Sequence, residues 1–486
     1  MGYLKKYGLI IALLCMAVVI FMPVPEGLTI AGQRVLGILI FAIIVWMTEC
    51  ISYPASAAAI ISLLALLLGT SPDPTKDGAA LIGTGKALTM ALGGFSNTAL
   101  ALVGGALFIA AAMMKTGLDK RIALFVLSKI GAKTNRVLAG VILVGFILSF
   151  FVPSTTARVS CLVPIVLGII TAFGVDKKSR FAAVMMIAVA QADSIWNVGI
   201  KTAAAQNMIA VSFMEKQLGE SVSWIQWFIA AAPYAAIMSV VLYVLLLKLI
   251  PPETKEIAGG KEAIARAIKE LGPMTLGEKK LLVISIILLF FWSTEKVLHN
   301  FDTSTTTLTA LAIMLLPRIG IMNWKEAQER IAWGTLILFG VGISLGSVLL
   351  SQKVAAWLAN YFVTMFGLQA LPALGILAVL GAFLIIVHLG FASATALAAA
   401  MIPIIISILQ GITIPGFNVL GMTMVCQFLV SFGLILPVNA PQNMVSYSTG
   451  CFESKDFIKV GIPLTIIGYG LILLLGATYW NWIGIL

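Results

Sequence analysis

Long apolar runs recur from one end of this chain to the other, and they constrain the fold more than any other feature. Many reach roughly 17 residues or more, enough to cross about 30 Å of hydrocarbon as a helix. Only 10% of the residues are charged against 60% hydrophobic. A soluble protein could not cover so much apolar surface with so few charges. A β-barrel would need short alternating segments instead. The expected fold is therefore an all-α polytopic membrane protein. Its first run, "YGLIIALLCMAVVIFM", follows Lys5 and Lys6 as a signal peptide would. It lacks a small-residue cleavage site and reads as a retained first helix.

Full spans are expected at about 7–22, 32–49, 55–69, 98–114, 182–213, 226–250, 281–297, 306–317, 332–350, 418–447 and 461–482, which makes eleven. Two further apolar segments, 137–170 and 370–409, are interrupted in the middle. Reading both as re-entrant hairpins, with the N-terminus cytoplasmic and the C-terminus outside, leaves 23 of the 31 Lys and Arg residues in cytoplasmic segments. Six lie outside (Arg34, Lys76, Lys86, Lys216, Lys296 and Lys353), and Arg158 and Lys201 lie at membrane depth. That asymmetry follows the positive-inside rule, and counting either hairpin as one crossing would reverse every later loop. The net charge of +11 is thus explained by cytoplasmic loops facing anionic lipid, not by nucleic acid. The one long polar insert, 251–280, has an amphipathic helical pattern and is expected along the cytoplasmic surface. The cysteines show no pairing or metal spacing, and His299 and His388 are too few for a metal centre. No metal site and no cofactor are expected.

The two interrupted segments resemble each other. "PSTTARVSCLVP" (153–164) aligns with "ASATALAAAMIP" (392–403) at an offset of 239, and "AAQNM" (204–208) aligns with "APQNM" (440–444) at 236. An odd number of crossings separates the copies, so they have opposite orientations. Inverted repeats with interrupted helices mark secondary transporters that bind near the midplane. In the first hairpin, Pro153 can end one half-helix and Ser154 or Thr155 can cap the next. The free N–H groups and positive dipole end then point into the membrane interior, an anion site to which Ser154, Thr155 and Thr156 add donors. Ser393 and Thr395 repeat the device from the other side. Two opposed sites suit a ligand with two separated negative charges, a dicarboxylate. "ADSIWNVGIKTAAAQNM" (192–208) and "FGLILPVNAPQNMVSYSTG" (432–450) carry Asn207, Asn439 and Asn443 in mid-span, which backbone facing a watery cavity tolerates. Arg158, Lys201 and His388 are candidate charge-compensating groups. Asp193 is spaced to pair with Lys201 if the break brings them together.

These motifs resemble the divalent anion:sodium symporter family, whose signature is Ser-Asn-Thr at each hairpin tip and a break ending in Pro-Asn. Here the tips read "STT" (154–156) and "SAT" (393–395). "FSNTALALVGGALFIAAAMMKTGLDKRIAL" (95–124) and "WGTLILFGVGISLGSVLL" (333–350) are similar to the family's repeated helices. The resemblance implies a homodimer of scaffold and transport domains with elevator-like movement. The scaffold would take 1–114 and 281–350. The transport halves would take 115–250 (hairpin 137–170, broken helix 182–213) and 351–486 (hairpin 370–409, broken helix 418–447). It also implies that Ser154, Thr155, Thr156, Ser393, Ala394 and Thr395 hold the substrate carboxylates, near Ala204, Ala440 and Pro441. Thr155 and Ala394 replace both tip asparagines, which the sodium-coupled members use, and "TAR" is similar to the translocator and citrate/succinate exchanger branch. A fixed cation at Arg158 would repel Na⁺. The expected function is sodium-independent exchange of C4/C5 dicarboxylates. The alternatives are a sodium-coupled symporter and, from another class, an anion channel. No catalytic motif points to an enzyme.

Overall fold

The computed structural model describes residues 2–73, 80–130, 133–172, 174–253 and 260–486. Among these residues the chain is built from helices, with two isolated β-bridges, Pro72–Leu81 and Glu295–His299, and no strand. Seven helices are long and apolar enough to cross a membrane: Ile30–Thr48, Thr98–Thr116, Thr134–Phe151, Arg180–Gly199, Trp224–Leu249, Trp333–Ser351 and Ser454–Trp482. Shorter apolar helices such as Thr303–Leu315 and Val354–Phe366 stand beside them. Small residues set the close approaches, as expected where lipid removes the hydrophobic drive between helices. A Cβ on Gly37 of Ile30–Thr48 would lie 3.3 Å from the Met16 carbonyl of the preceding helix, Gly2–Phe21.

The first interrupted segment folds as Thr134–Phe151, a turn at 152–154, and Thr155–Ala172. Val152 is extended, and Pro153 cannot donate a backbone hydrogen bond, so the first helix stops there. The second interrupted segment folds as Ala373–His388, a turn at 389–393, and Ala394–Gln410. Pro164 and Pro403 stand at matching places inside the second helix of each hairpin.

Each broken helix divides in two. Arg180–Gly199 ends at the extended Ile200, a 3-10 turn covers Lys201–Ala203, and Ala205–Leu218 follows the extended Ala204. In the second copy Val419–Val430 is followed by the 3-10 turn Pro437–Asn439, the extended Ala440 and Pro441–Tyr447. The first break forms without a proline. Phe181–Gly199 and the opened backbone at 200–204 are buried, which is where such a break is tolerated. The two copies then pack crosswise. Thr155–Ala172 of the first hairpin lies on Pro441–Tyr447 of the second break, and Ala394–Gln410 lies on Ala205–Leu218 of the first.

Two stretches differ from the sequence reading. Residues 70–97, expected as an outside loop, contain the helix Thr84–Leu92 and the 3-10 turn Gly93–Phe95. That helix is too short to register as a span. Its turn docks on the middle of Trp333–Ser351. The Gly94 N–H donates to Ser344 Oγ at 2.9 Å, and a Cβ at Gly94 would lie 2.1 Å from the Gly340 carbonyl. The polar insert 251–280 is also more tightly held than a surface face. Its helix Gly260–Leu271 buries Ile264, and Arg121 caps its end through the carbonyls of Leu271 and Gly272 while pairing with Glu278 at 2.6 Å. Residues 254–259 of that insert, and Lys76, lie outside the described residues.

Candidate functional site

Four helices begin at one cavity of 280 Å³: Thr155–Ala172, Ala394–Gln410, Ala205–Leu218 and Pro441–Tyr447. The first two are capped alike. Ser154 Oγ accepts from the Ala157 N–H at 3.4 Å, and Ser393 Oγ accepts from the Ala396 N–H at 3.3 Å. Ala204 and Ala440 precede the other two and offer no capping oxygen. The cavity lining includes Ser154, Thr155, Thr156, Ala204, Ser393, Ala394, Thr395, Ala440 and Pro441. All nine positions inferred from the tip and break motifs therefore meet in one place, although up to 287 residues separate them in the chain. Helix N-termini and small hydroxyls converging on a largely apolar cavity are chemically able to hold an anion through hydrogen bonds.

Arg158 does not line this cavity. It is fully buried and pairs with Asp193 through Nε to Oδ1 at 2.6 Å. Its Nη1 donates to the carbonyls of Val152 (2.7 Å) and Ala203 (3.0 Å). Its Nη2 donates to Asn197 Oδ1 at 2.8 Å, and Thr155 Oγ1 donates to the same oxygen at 2.7 Å. The guanidinium thus bolts the first tip to the first break, and a planar fork can satisfy so many acceptors at once. Asp193 is therefore the partner of Arg158, not of Lys201. Lys201 turns the other way. Its Nζ donates to the Val222 carbonyl at 2.6 Å, and it lines a separate cavity with Glu215, Glu295 and Asp302. Of the two cations expected at membrane depth, one is thus paired with a carboxylate and the other is bound to a carbonyl.

The break asparagines hold the opened backbone. Asn207 Nδ2 donates to the carbonyls of Asn197 (2.7 Å), Ile200 (3.2 Å) and Lys201 (3.4 Å). Asn443 Nδ2 repeats this on Gly433 (2.8 Å) and Leu436 (3.4 Å), each 236 residues beyond its counterpart. Asn439 Nδ2 donates to His388, Leu389 and Phe391 carbonyls at 3.0–3.2 Å. Phe391 is the repeat equivalent of Val152, so the same carbonyl takes a guanidinium in one copy and a neutral amide in the other. His388 is buried, with Nε2 3.3 Å from the Asn439 carbonyl, and it lies behind the second tip, away from the cavity.

A family model described as the sodium:sulfate symporter transmembrane region matches residues 4–486. The chain belongs to this family. Among its symporter-family relatives, a membrane protein of Cupriavidus necator is 58% identical, over 98% of this chain and 93% of that protein. The citrate/succinate antiporter of Escherichia coli is 26% identical, over 98% of both. The sodium-dependent dicarboxylate transporter SdcS of Staphylococcus saprophyticus is 24% identical, over 96% of this chain and 90% of that one. The crystal structure of the Alcanivorax borkumensis YdaH transporter shares the fold, with a TM-score of 0.55 at 15% identity over 88% of this chain and 97% of that chain. This symporter-family chain is therefore a membrane transporter and not an enzyme.

Motif reading missed several groups at the site. Asn197 anchors both Arg158 and Thr155. Gln206 and Gln442 reach across the repeats to Ser431 Oγ (3.4 Å) and Ser194 Oγ (3.1 Å). Both glutamines sit in the matched "AAQNM" and "APQNM" segments, so the repeat itself flagged them. Tyr53 and Thr335 also line the cavity, from elements outside the matched motifs. Nothing in its local sequence marks Tyr53, whereas Thr335 lies in the 333–350 stretch quoted above.

Proposed function

We propose that this transporter exchanges C4/C5 dicarboxylates across the membrane without sodium. The observation that carries the proposal is Arg158. Its guanidinium fills the junction of tip and break with a permanent positive charge, held by Asp193, two carbonyls and Asn197. A mobile cation is then not needed to bind the first tip to the first break, because the guanidinium already joins them with its charge balanced by Asp193. The opposed capped tips supply hydrogen-bond donors for two carboxylates, with the Ser154 and Thr156 hydroxyls and the first N–H groups of Thr155–Ala172 at one end and Ser393 and Thr395 at the other. The name of the citrate/succinate antiporter of Escherichia coli supports both the anion class and the exchange mode.

In this reading the hairpins enter and leave on the same side, and the repeats move as a transport body against a scaffold in a homodimer. Sodium-coupled symport is the competing reading. Buried acceptors with no protein donor, Asp193 Oδ2, Gln191 Oε1, Gln427 Oε1 and Asn443 Oδ1, favour it, as does the sodium dependence named for SdcS. Counterflow into proteoliposomes tests the substrate class. Labelled succinate should enter when malate, fumarate or 2-oxoglutarate is loaded inside, and should not enter against acetate. Equal uptake against acetate would refute the two-carboxylate site.

A further inference from the structure

Pro164 and Pro403 are repeat partners, yet only one of them is covered. Pro403 is buried, and a Cβ on Gly346 of Trp333–Ser351 would lie 3.2 Å from its Cγ. Pro164 is exposed, as is Gly168 one turn on, and a Cβ at Gly168 would meet nothing within 4 Å. These two residues lie on the apolar floor of a 450 Å³ groove. One wall is Lys120 and Leu124 of the helix Leu118–Ile130, and the other is the amphipathic helix Gly260–Leu271. That helix brings Glu262, Arg266 and Glu270 to the groove at i, i+4 spacing. At this spacing Arg266 could bridge to either glutamate. Among the described residues, however, none of Lys120, Glu262, Arg266 and Glu270 is in an ion pair. Two cations and two carboxylates therefore rim an apolar floor, free to pair with something else.

The groove lies where the chain passes from apolar to charged residues, as it does at a bilayer surface. Thr155–Ala172 is apolar to its end, and Asp176, Lys177, Lys178 and Arg180 follow shortly after it. We propose that the groove is a binding site for a zwitterionic phospholipid with an N–H-bearing head, phosphatidylethanolamine. Its phosphate pairs with Arg266 and Lys120, its ammonium with Glu262 or Glu270, and an acyl chain covers Pro164 and Gly168. Charge complementarity selects this occupant. A purely anionic head would bring its charge against two carboxylates and leave both without a partner. A choline head carries the same two charges but has no N–H to donate to a glutamate. The lipid takes the place on the first hairpin that Trp333–Ser351 takes on the second. The groove shares no lining residue with the substrate cavity, so the proposal holds whatever the chain transports.

Native mass spectrometry of the full chain, released from mixed micelles, reads the retained lipid directly. Dioleoyl phosphatidylethanolamine, phosphatidylcholine and phosphatidylglycerol compete at equal concentration. Phosphatidylethanolamine should be held about tenfold more tightly than either competitor, the factor of one net hydrogen bond to a charged group. The ranking in the unaltered protein decides the headgroup without any variant. Arg266→Gln should weaken phosphatidylethanolamine about tenfold. Glu262→Gln with Glu270→Gln removes the ammonium partners and the repulsion together, so phosphatidylglycerol should overtake phosphatidylethanolamine. A merely structural role for the glutamates would not reverse the order. Gly168→Leu fills the floor and should weaken all three lipids alike. Equal retention of the three heads, a preference for phosphatidylglycerol or phosphatidylcholine, or no retained lipid would overturn the proposal. An unchanged order in the double glutamine variant would overturn the pairing with Glu262 and Glu270. Unchanged retention in Gly168→Leu would place the lipid elsewhere and overturn the site.

Discussion

Removing Arg158 is the perturbation whose outcome the structure determines most sharply. Arg158→Ala leaves the Asp193 carboxylate fully buried with no counter-charge. It also takes donors from the carbonyls of Val152 and Ala203. Breaking a buried ion pair from one side typically costs about 3–5 kcal/mol. Each buried acceptor stripped of its donor adds about 1–3 kcal/mol before relaxation. A loss of at least about 3 kcal/mol is therefore expected, a large part of a total stability of about 5–15 kcal/mol. Arg158→Met with Asp193→Leu removes both charges and should recover more than half of that loss. Arg158→Lys should fall between, because one ammonium cannot fork to Asp193, Asn197 and two carbonyls. Reversible unfolding in mixed micelles, followed by tryptophan fluorescence, gives the differences. A loss under about 1 kcal/mol for Arg158→Ala, or a double variant no better than the single, would refute the role assigned to the pair.

Three further outcomes follow from the same contacts. Asn207→Ala and Asn443→Ala each strip the amide from opened backbone, and each should lower stability by about 1–3 kcal/mol while slowing exchange, measured by thermal unfolding and initial rates. Thr155→Val removes the hydroxyl that ties the first tip to Asn197 at the edge of the cavity, and should raise the succinate KM about tenfold with less change in maximal rate, read from counterflow at varied concentration. Outside the membrane, partial burial raises the Glu253 pKa, but the N–H groups of Arg180 and Phe181 and the Arg180 charge outweigh it and hold the carboxyl below its usual 4.5. Its contribution to stability is therefore present above pH 4.5 and lost as pH falls through the lowered value. Melting temperature should accordingly drop less on acidification in Glu253→Gln than in the unaltered protein.

Much of the site was legible because it is written twice. Ser154 and Ser393, Pro164 and Pro403, and Asn207 and Asn443 stand at constant offsets, and a repeat exposes residues that a single copy would hide. The helices themselves follow from apolar length. What stayed hidden depends on direction rather than spacing. Arg158 was legible as a charge at depth, but whether it faced the cavity or Asp193 depends on where the break at Ile200 sends the chain. Lys201, one residue past that break, was turned away for the same reason. Thr84–Leu92 escaped notice because nine residues carry too little apolar length to register as a span. Tyr53 could be found only from its place in the cavity wall, since an aromatic at a helix start is ordinary in sequence.

The central claim is that the fixed charge of Arg158 stands where a coupling cation would otherwise be needed. It is tested most directly by labelled succinate uptake into proteoliposomes, with sodium or choline outside and with or without dicarboxylate inside. Uptake should require internal dicarboxylate and should be the same in sodium and in choline. Uptake into vesicles free of internal dicarboxylate, driven by an inward sodium gradient, would contradict the claim.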